Sequence, residues 1–146
     1  MPSGMHQVEL ELPITVIWNF VKDMDNWAPL VPGYVNHEKL NNHQSTWEFK
    51  GDIGILKKTV SLMIDIKEWI PPHRVSFDLK AEKYTGEGYF EAKAINTNKT
   101  KLIGYLDVTA VGAMEGMKNS LLKNAIPKSA EEMAEAISSK LIEQNL

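Results

Sequence analysis

The feature that most constrains this chain is a change of period. From Val35 to Ala110 apolar residues recur at every second position, and from Met117 to Leu141 they recur at every third or fourth. Alternation by two places one set of side chains on one face of a strand, and a repeat near 3.6 places them along one face of a helix. A chain that holds the first pattern over half its length and closes on the second is built as a sheet with one helix laid against it.

Inside the alternating block the sequence predicts strands at 35–40, 44–53, 56–67, 75–82, 85–94 and 102–110. Asn41–Asn42, Gly51 with Gly54, Pro71–Pro72 and Asn96 to Asn98 supply the turns between them. A further strand precedes the block, with His6, Val8, Leu10 and Leu12 opposing Met5, Gln7, Glu9 and Glu11. Pro13 then stands where a helix can begin, and Ile14, Ile17, Trp18 and Val21 share one helical face. A second short helix is predicted with Asp25 as its N-cap and Trp27, Leu30 and Val31 as its apolar contacts, stopped by Pro29, Pro32 and Gly33.

Short turns join antiparallel neighbours. The expected architecture is therefore α+β: a curved antiparallel sheet of about seven strands, in the order β-α-α-β6-α, wrapped around a long C-terminal helix. Pro127 removes one hydrogen bond from that helix, and Ser129 with Glu132 has capping-box spacing just beyond it. Lys118, Lys123 and Lys128 run up to that point, and Glu131, Glu132 and Glu135 follow it, the charge order of one helix ending and another starting. A kink or a restart near Pro127 is expected.

At 146 residues the chain suits a single domain spanning 1–146. A net charge of -3 favours solubility, and Arg74 is the only arginine, so the arginine forks that read phosphates and bases are missing and nucleic acid is not an expected partner. Without cysteine there is no disulfide, thiolate metal site or cysteine nucleophile. Residues 1–12 alternate and carry acids, unlike a signal peptide, and no apolar run approaches the roughly 20 residues that span a bilayer. The expected location is the cytoplasm.

Recognisable chemistry is sparse. His37 and His43 flank a turn, but no third ligand is spaced to complete a metal site, so both read as solvated surface histidines and no metal or cofactor is expected. His6 falls on the inward face of the first strand and is the best base candidate if the protein is an enzyme. No nucleophile elbow or phosphate-binding loop is present. Asp65 and Asp107 fall on outward positions, where they would serve solubility.

One strand raises a question of volume. In TGEGYFEAKA, residues 85–94, the inward set is Gly86, Gly88, Phe90, Ala92 and Ala94, and Gly104 faces the same way on the next strand. Small inward residues can open a cavity, or they can let neighbouring backbone approach where a sheet bends. Both readings are open on the residues alone.

The order of these features resembles the helix-grip fold of the START-like lipid-transfer, birch-pollen-allergen and polyketide-cyclase superfamily, and within it the carbon monoxide dehydrogenase G-subunit family. LPITVIWNFVKDMDNWAPLVPGY resembles that family's opening, with Pro32–Gly33 leading into the second strand. The block from Lys50 to Ala94 resembles its centre, with Gly51 and Gly54, Pro71 to His73, and a glycine-bearing strand. The resemblance implies an apolar cavity between sheet and helix. Its expected walls are Trp47, Phe49, Leu62, Phe77, Leu79 and Phe90 from the sheet, Trp27 and Leu30 from the short helix, and Met114, Met117, Leu121 and Leu122 from the long one. The implied role is binding or transport of a hydrophobic small molecule (a lipid, an isoprenoid quinone or a polyketide-like ring) without catalysis. Accessory work for a molybdenum-type carbon monoxide dehydrogenase and peripheral contact with the inner face of the cell membrane are implied as well. The alternatives are a cyclase, dehydratase or hydrolase of the same superfamily, or an interaction protein with a solid core.

Overall fold

The computed structural model describes residues 3–31, 34–50, 59–112 and 115–145. Seven strands form one sheet: β1 (Ser3–Leu10), β2 (Tyr34–Lys39), β3 (Gln44–Lys50), β4 (Thr59–Ile70), β5 (Arg74–Lys80), β6 (Tyr84–Asn96) and β7 (Lys99–Ala110). Their order across the sheet is β1-β7-β6-β5-β4-β3-β2, with every neighbouring pair antiparallel. Consecutive strands from β2 to β7 are neighbours, as short turns require. At the β2–β3 turn the Asn41 side-chain oxygen accepts from the backbone N–H groups of His43 and Gln44, at 2.8 and 2.9 Å. Gly51, Ile53, Gly54 and Leu56, like Pro32–Gly33, lie outside the described residues.

Between β1 and β2 the chain makes α1 (Ile14–Val21), entered through Pro13, then α2 (Met24–Trp27) and a single 3-10 turn at Ala28–Leu30. The N-cap of α2 is Asp23, whose carboxylate accepts from Asp25 N–H at 3.0 Å. The expected cap, Asp25, belongs to the first helical turn, and its carboxylate bonds elsewhere. Ile17, Trp18, Phe20 and Val21 of α1 are buried together with Trp27 of α2.

The closing helix, α3 (Glu115–Gln144), is one element with Pro127 inside it, so the expected restart does not occur. Leu122, Ile126, Ala130, Met133, Ala134, Ile137 and Leu141 form its buried stripe against the sheet. Its first turns are tied to the end of β7 by Asn119, whose side chain accepts from Ala110 N–H at 2.7 Å and donates to Ala110 O at 3.1 Å.

The small residues do not hollow out the core. A Cβ on Gly88 would stand 2.7 Å from Phe77 Cζ and 2.8 Å from the Tyr105 carbonyl oxygen. On Gly86 it would collide with the Asp107 carbonyl of the adjacent strand. Gly104 has the Phe90 ring at 3.7 Å, and Ala92 is buried. On Gly4 of β1 a Cβ would meet Pro127 Cα at 2.6 Å, so the helix passes this strand backbone to backbone. Close approach of neighbouring backbone, rather than empty space, accounts for Gly86 and Gly88. Ala94 is exposed beyond the covered part of the strand.

Asp107 corrects another expectation. Although on the outer side of β7, it is 2% exposed, accepting from Tyr105 O–H at 2.8 Å and Glu87 N–H at 3.2 Å. That bond to a carboxylate, with burial second, pushes the Tyr105 phenol up to about 12.

Candidate functional site

A cavity of about 110 Å³ does lie between sheet and helix, displaced from the glycines. One wall is a cluster of rings around Trp27, which lies 5.5 Å from Trp47, 6.2 Å from Phe77 and 4.9 Å from Phe90 between centroids. Aromatic pairs at these separations hold each other by about 0.5–1.5 kcal/mol beyond burial, so this wall is stiff. The Trp27 indole N–H donates to Val21 O at 3.1 Å, which fixes the ring and satisfies its only donor. Trp47 donates likewise to Ser45 Oγ at 2.8 Å.

Seven of the expected wall residues line the cavity: Trp27, Trp47, Phe49, Leu62, Phe77, Leu79 and Leu122. Phe90 does not; it is buried behind Trp27 with its ring over Gly104. Leu30 packs at the edge of the core, outside the lining, and Leu121 is half-buried to one side of it. Met117 is 51% exposed, because α3 turns its residue 122, 126 and 133 face to the sheet and leaves this methionine in solvent. Met114 lies outside the described residues. Sequence reasoning omits Val31, Val60, Ile64, Tyr84, Leu106, Val108, Ile126, Ser129 and Met133 from the lining. The signal is present for the strand residues, since Val60, Ile64, Leu106 and Val108 all sit on inward positions.

His37 is not a solvated histidine. A register shift between Tyr34 and Asn36 in β2 brings Tyr34 opposite Phe49 and His37 opposite Trp47. The His37 side chain is 11% exposed, with its ring 5.2 Å from that of Trp47. Its Nδ1 is 2.6 Å from Tyr34 Oη and its Nε2 is 2.6 Å from Asp25 Oδ1. A carboxylate can only accept, so Nε2 carries a proton and donates to Asp25, and in the neutral ring Nδ1 accepts from the Tyr34 hydroxyl. Lys39 Nζ adds 3.0 Å bonds to Asp23 Oδ1 and to Asp25 Oδ2. These bonds fasten the edge strand to the helix that carries Trp27. His43 is exposed and takes no part.

His6 stands apart from the cavity lining, its Nε2 3.9 Å from Glu135 Oε1 on α3. Among the described residues no group of three or more His, Asp or Glu is placed to hold a metal ion. A second, polar cleft of about 240 Å³ opens on the outer side near Arg74 and Tyr89. Its cations are already engaged: Lys67 with Asp78 at 2.7 Å, and Arg74 with Glu91 at 2.8 Å and over the Tyr89 ring at 4.0 Å. The apolar cavity is the better candidate site.

A family model whose description reads only "-like:-like" matches residues 1–146. No curated protein matches the chain. Among solved structures, the chain is similar to the Thermus thermophilus protein TTHA0849, at 14% identity and TM-score 0.81, with 99% of this chain and 100% of that one covered. It is similar to the Zhui aromatase/cyclase of Streptomyces at 13% identity and TM-score 0.77, with 99% and 95% covered. A START superfamily protein from Mycobacterium smegmatis matches at 15% identity and TM-score 0.75, with 97% and 98% covered. The chain belongs to the family that this model describes, and its seven-stranded sheet gripping α3 is the helix-grip fold of the START-like proteins.

Proposed function

We propose that the protein binds and carries a hydrophobic small molecule in the cavity between the sheet and α3. The observation that carries this reading is about 110 Å³ of space with almost wholly apolar walls. Filling such space with side chain is worth roughly 24 cal/mol per Å³, or about 2–3 kcal/mol here, a large share of a domain's net stability. An apolar cavity of about 150 Å³ is enough to take up benzene, so the part of the ligand held here is about the size of one six-membered ring. Pockets for larger ligands run to about 300–1,000 Å³. A quinone or polyketide-like ring fits this limit, and an attached isoprenoid or acyl chain requires the walls to part.

The sequence resemblance to the carbon monoxide dehydrogenase G-subunit family supports a narrower form, a cytoplasmic accessory protein that hands a quinone or lipid between a molybdenum-type dehydrogenase and the membrane. That form rests on family analogy. No helix among the described residues is long and apolar enough to cross a membrane.

Native mass spectrometry of freshly purified protein, followed by thermal melts with ubiquinone analogues, fatty acids and monocyclic aromatics, tests the proposal. A co-purifying apolar mass, or a rise in melting temperature with one of these ligands, is expected; saturation at about a hundred times Kd stabilises by about 2.7 kcal/mol. A bare chain that gains nothing from any of them would sink it. Recovery of the ligand with its mass unchanged separates a carrier from an enzyme.

A further inference from the structure

Two residues that carry hydroxyl groups, Tyr84 and Ser129, stand in the otherwise apolar lining of the cavity. Tyr84 opens β6 opposite Ala110 and is 8% exposed. Burial alone pushes its phenol upward; no hydrogen bond contributes. Among the described residues the one sealed side-chain polar atom lacking a partner is Thr109 Oγ1. No hydrogen bond among the described residues engages the Tyr84 hydroxyl, and Tyr84 is one of the residues that line the cavity. Lys118 Nζ stands over the ring, 5.9 Å from its centroid.

Ser129 lines the same cavity from the other layer. It lies on the face of α3 that also presents Leu122, Ile126 and Met133, at spacings of three and four residues. A helix with an apolar cavity to line has better residues for this position: alanine has the higher helix propensity and loses no polar group to burial. The ring of Tyr84 is explained by packing, since phenylalanine would pack as well. Its oxygen is not. A hydroxyl without a protein partner is left to bond water or a ligand atom.

We infer that Tyr84 and Ser129 form a polar anchor inside the apolar cavity, selecting ring-sized ligands that carry a hydrogen-bonding oxygen, such as phenols, quinones and cyclic ketones, over pure hydrocarbons. The inference rests on the cavity reading above and narrows its ligand class. At neutral pH the Tyr84 phenol keeps its proton, so it donates to a ligand carbonyl or hydroxyl oxygen while Ser129 can donate or accept. Burial of the ring supplies most of the affinity, and the two hydroxyls set which end of the ligand points toward them.

The test compares para-fluorophenol with para-fluorotoluene, near-isosteres that differ in one hydroxyl, by fluorine NMR titration of the whole chain. In the wild type the ratio of the two affinities includes the bond to the anchor. Tyr84→Phe with Ser129→Ala should shift that ratio by roughly threefold to tenfold against the phenol, the scale of one neutral hydrogen bond. The melting temperature should not fall, which shows that the variant is folded, and para-fluorotoluene serves within the ratio as the reference for the cavity itself. A ratio unchanged by the double substitution overturns the anchor while leaving the cavity in place. Binding of neither probe by the wild type overturns both.

Discussion

The imidazole of His37 joins the edge strand to the helix bearing Trp27, with Nε2 2.6 Å from Asp25 Oδ1. Asp25 is also bonded by Lys39, and this bond, followed by that from His37, holds its carboxyl below the usual 3.8. A depressed value in the folded state contributes stability that is present above the unfolded value and lost as pH falls through the folded one. Asp25→Asn should therefore cost less than about 1 kcal/mol near neutral pH, since the carboxylate is half exposed. The difference between variant and wild type should begin to shrink only as pH falls below 3.8 and should vanish once pH has passed below the depressed folded value. Thermal melts across the acid range check this, and parallel loss of stability in both proteins would show that Asp25 is not the titrating fastener.

The glycines offer a second test because their neighbourhoods differ. Gly86→Ala and Gly88→Ala each drive a methyl group into backbone, the Asp107 and Tyr105 carbonyls respectively. Overpacking of this kind costs about 1–3 kcal/mol, or more where backbone must shift. Gly104→Ala meets only the Phe90 ring at 3.7 Å, an ordinary contact, and should change stability by less than about 1 kcal/mol. Denaturant unfolding of the three variants gives the order directly. If all three were neutral, the strand would have room beside it and the close-approach account would fail.

These positions also show where sequence reading stops. The alternation of Val75, Phe77 and Leu79 against Ser76, Asp78 and Lys80 makes β5 legible, because burial on one face dictates the residues of that face. A glycine lacks a side chain equally beside a void and beside a carbonyl, so Gly86 cannot be interpreted without the neighbouring strand. His37 escapes for a related reason. Its inward aim depends on a register shift at Tyr34 and on Trp47 across the strand pair, neither of which leaves a mark in local periodicity. On α3 the stripe itself is legible, but which turns of it face the cavity is decided by where the helix crosses the sheet. Met117 and Met133 are alike as sequence, and only Met133 lines the cavity.

Tyr105 should titrate late. The Asp107 carboxylate accepts its proton bond and raises the phenol to about 12, so the folded state holds that proton above the ordinary value of 10. The associated stability is present below the unfolded value and is lost as pH rises from about 10 toward 12. Tyrosinate absorbance during an alkaline titration should show a phenol that ionises only near pH 12, later than the ordinary value of 10. In Asp107→Asn the delay should shrink to the part that burial supplies; a delay of undiminished size would assign the whole shift to burial instead.

Enlarging two buried residues separates the cavity from the packed part of the core. Leu122 borders the open volume, whereas Phe90 is wedged between the Trp27 ring at 4.9 Å and Gly104. Leu122→Trp can place its added ring in existing space, and should change stability by less than about 1.5 kcal/mol while abolishing uptake of para-fluorotoluene. Phe90→Trp has no such space and should cost about 1–3 kcal/mol through displaced neighbours. The contrast is informative because both residues are nearly inaccessible, at 3% and 2% exposure, and burial alone would predict equal sensitivity. Equal and severe loss in both variants would mean that the volume beside Leu122 is not available to an added ring, and with it would go the physical basis for a ligand held there.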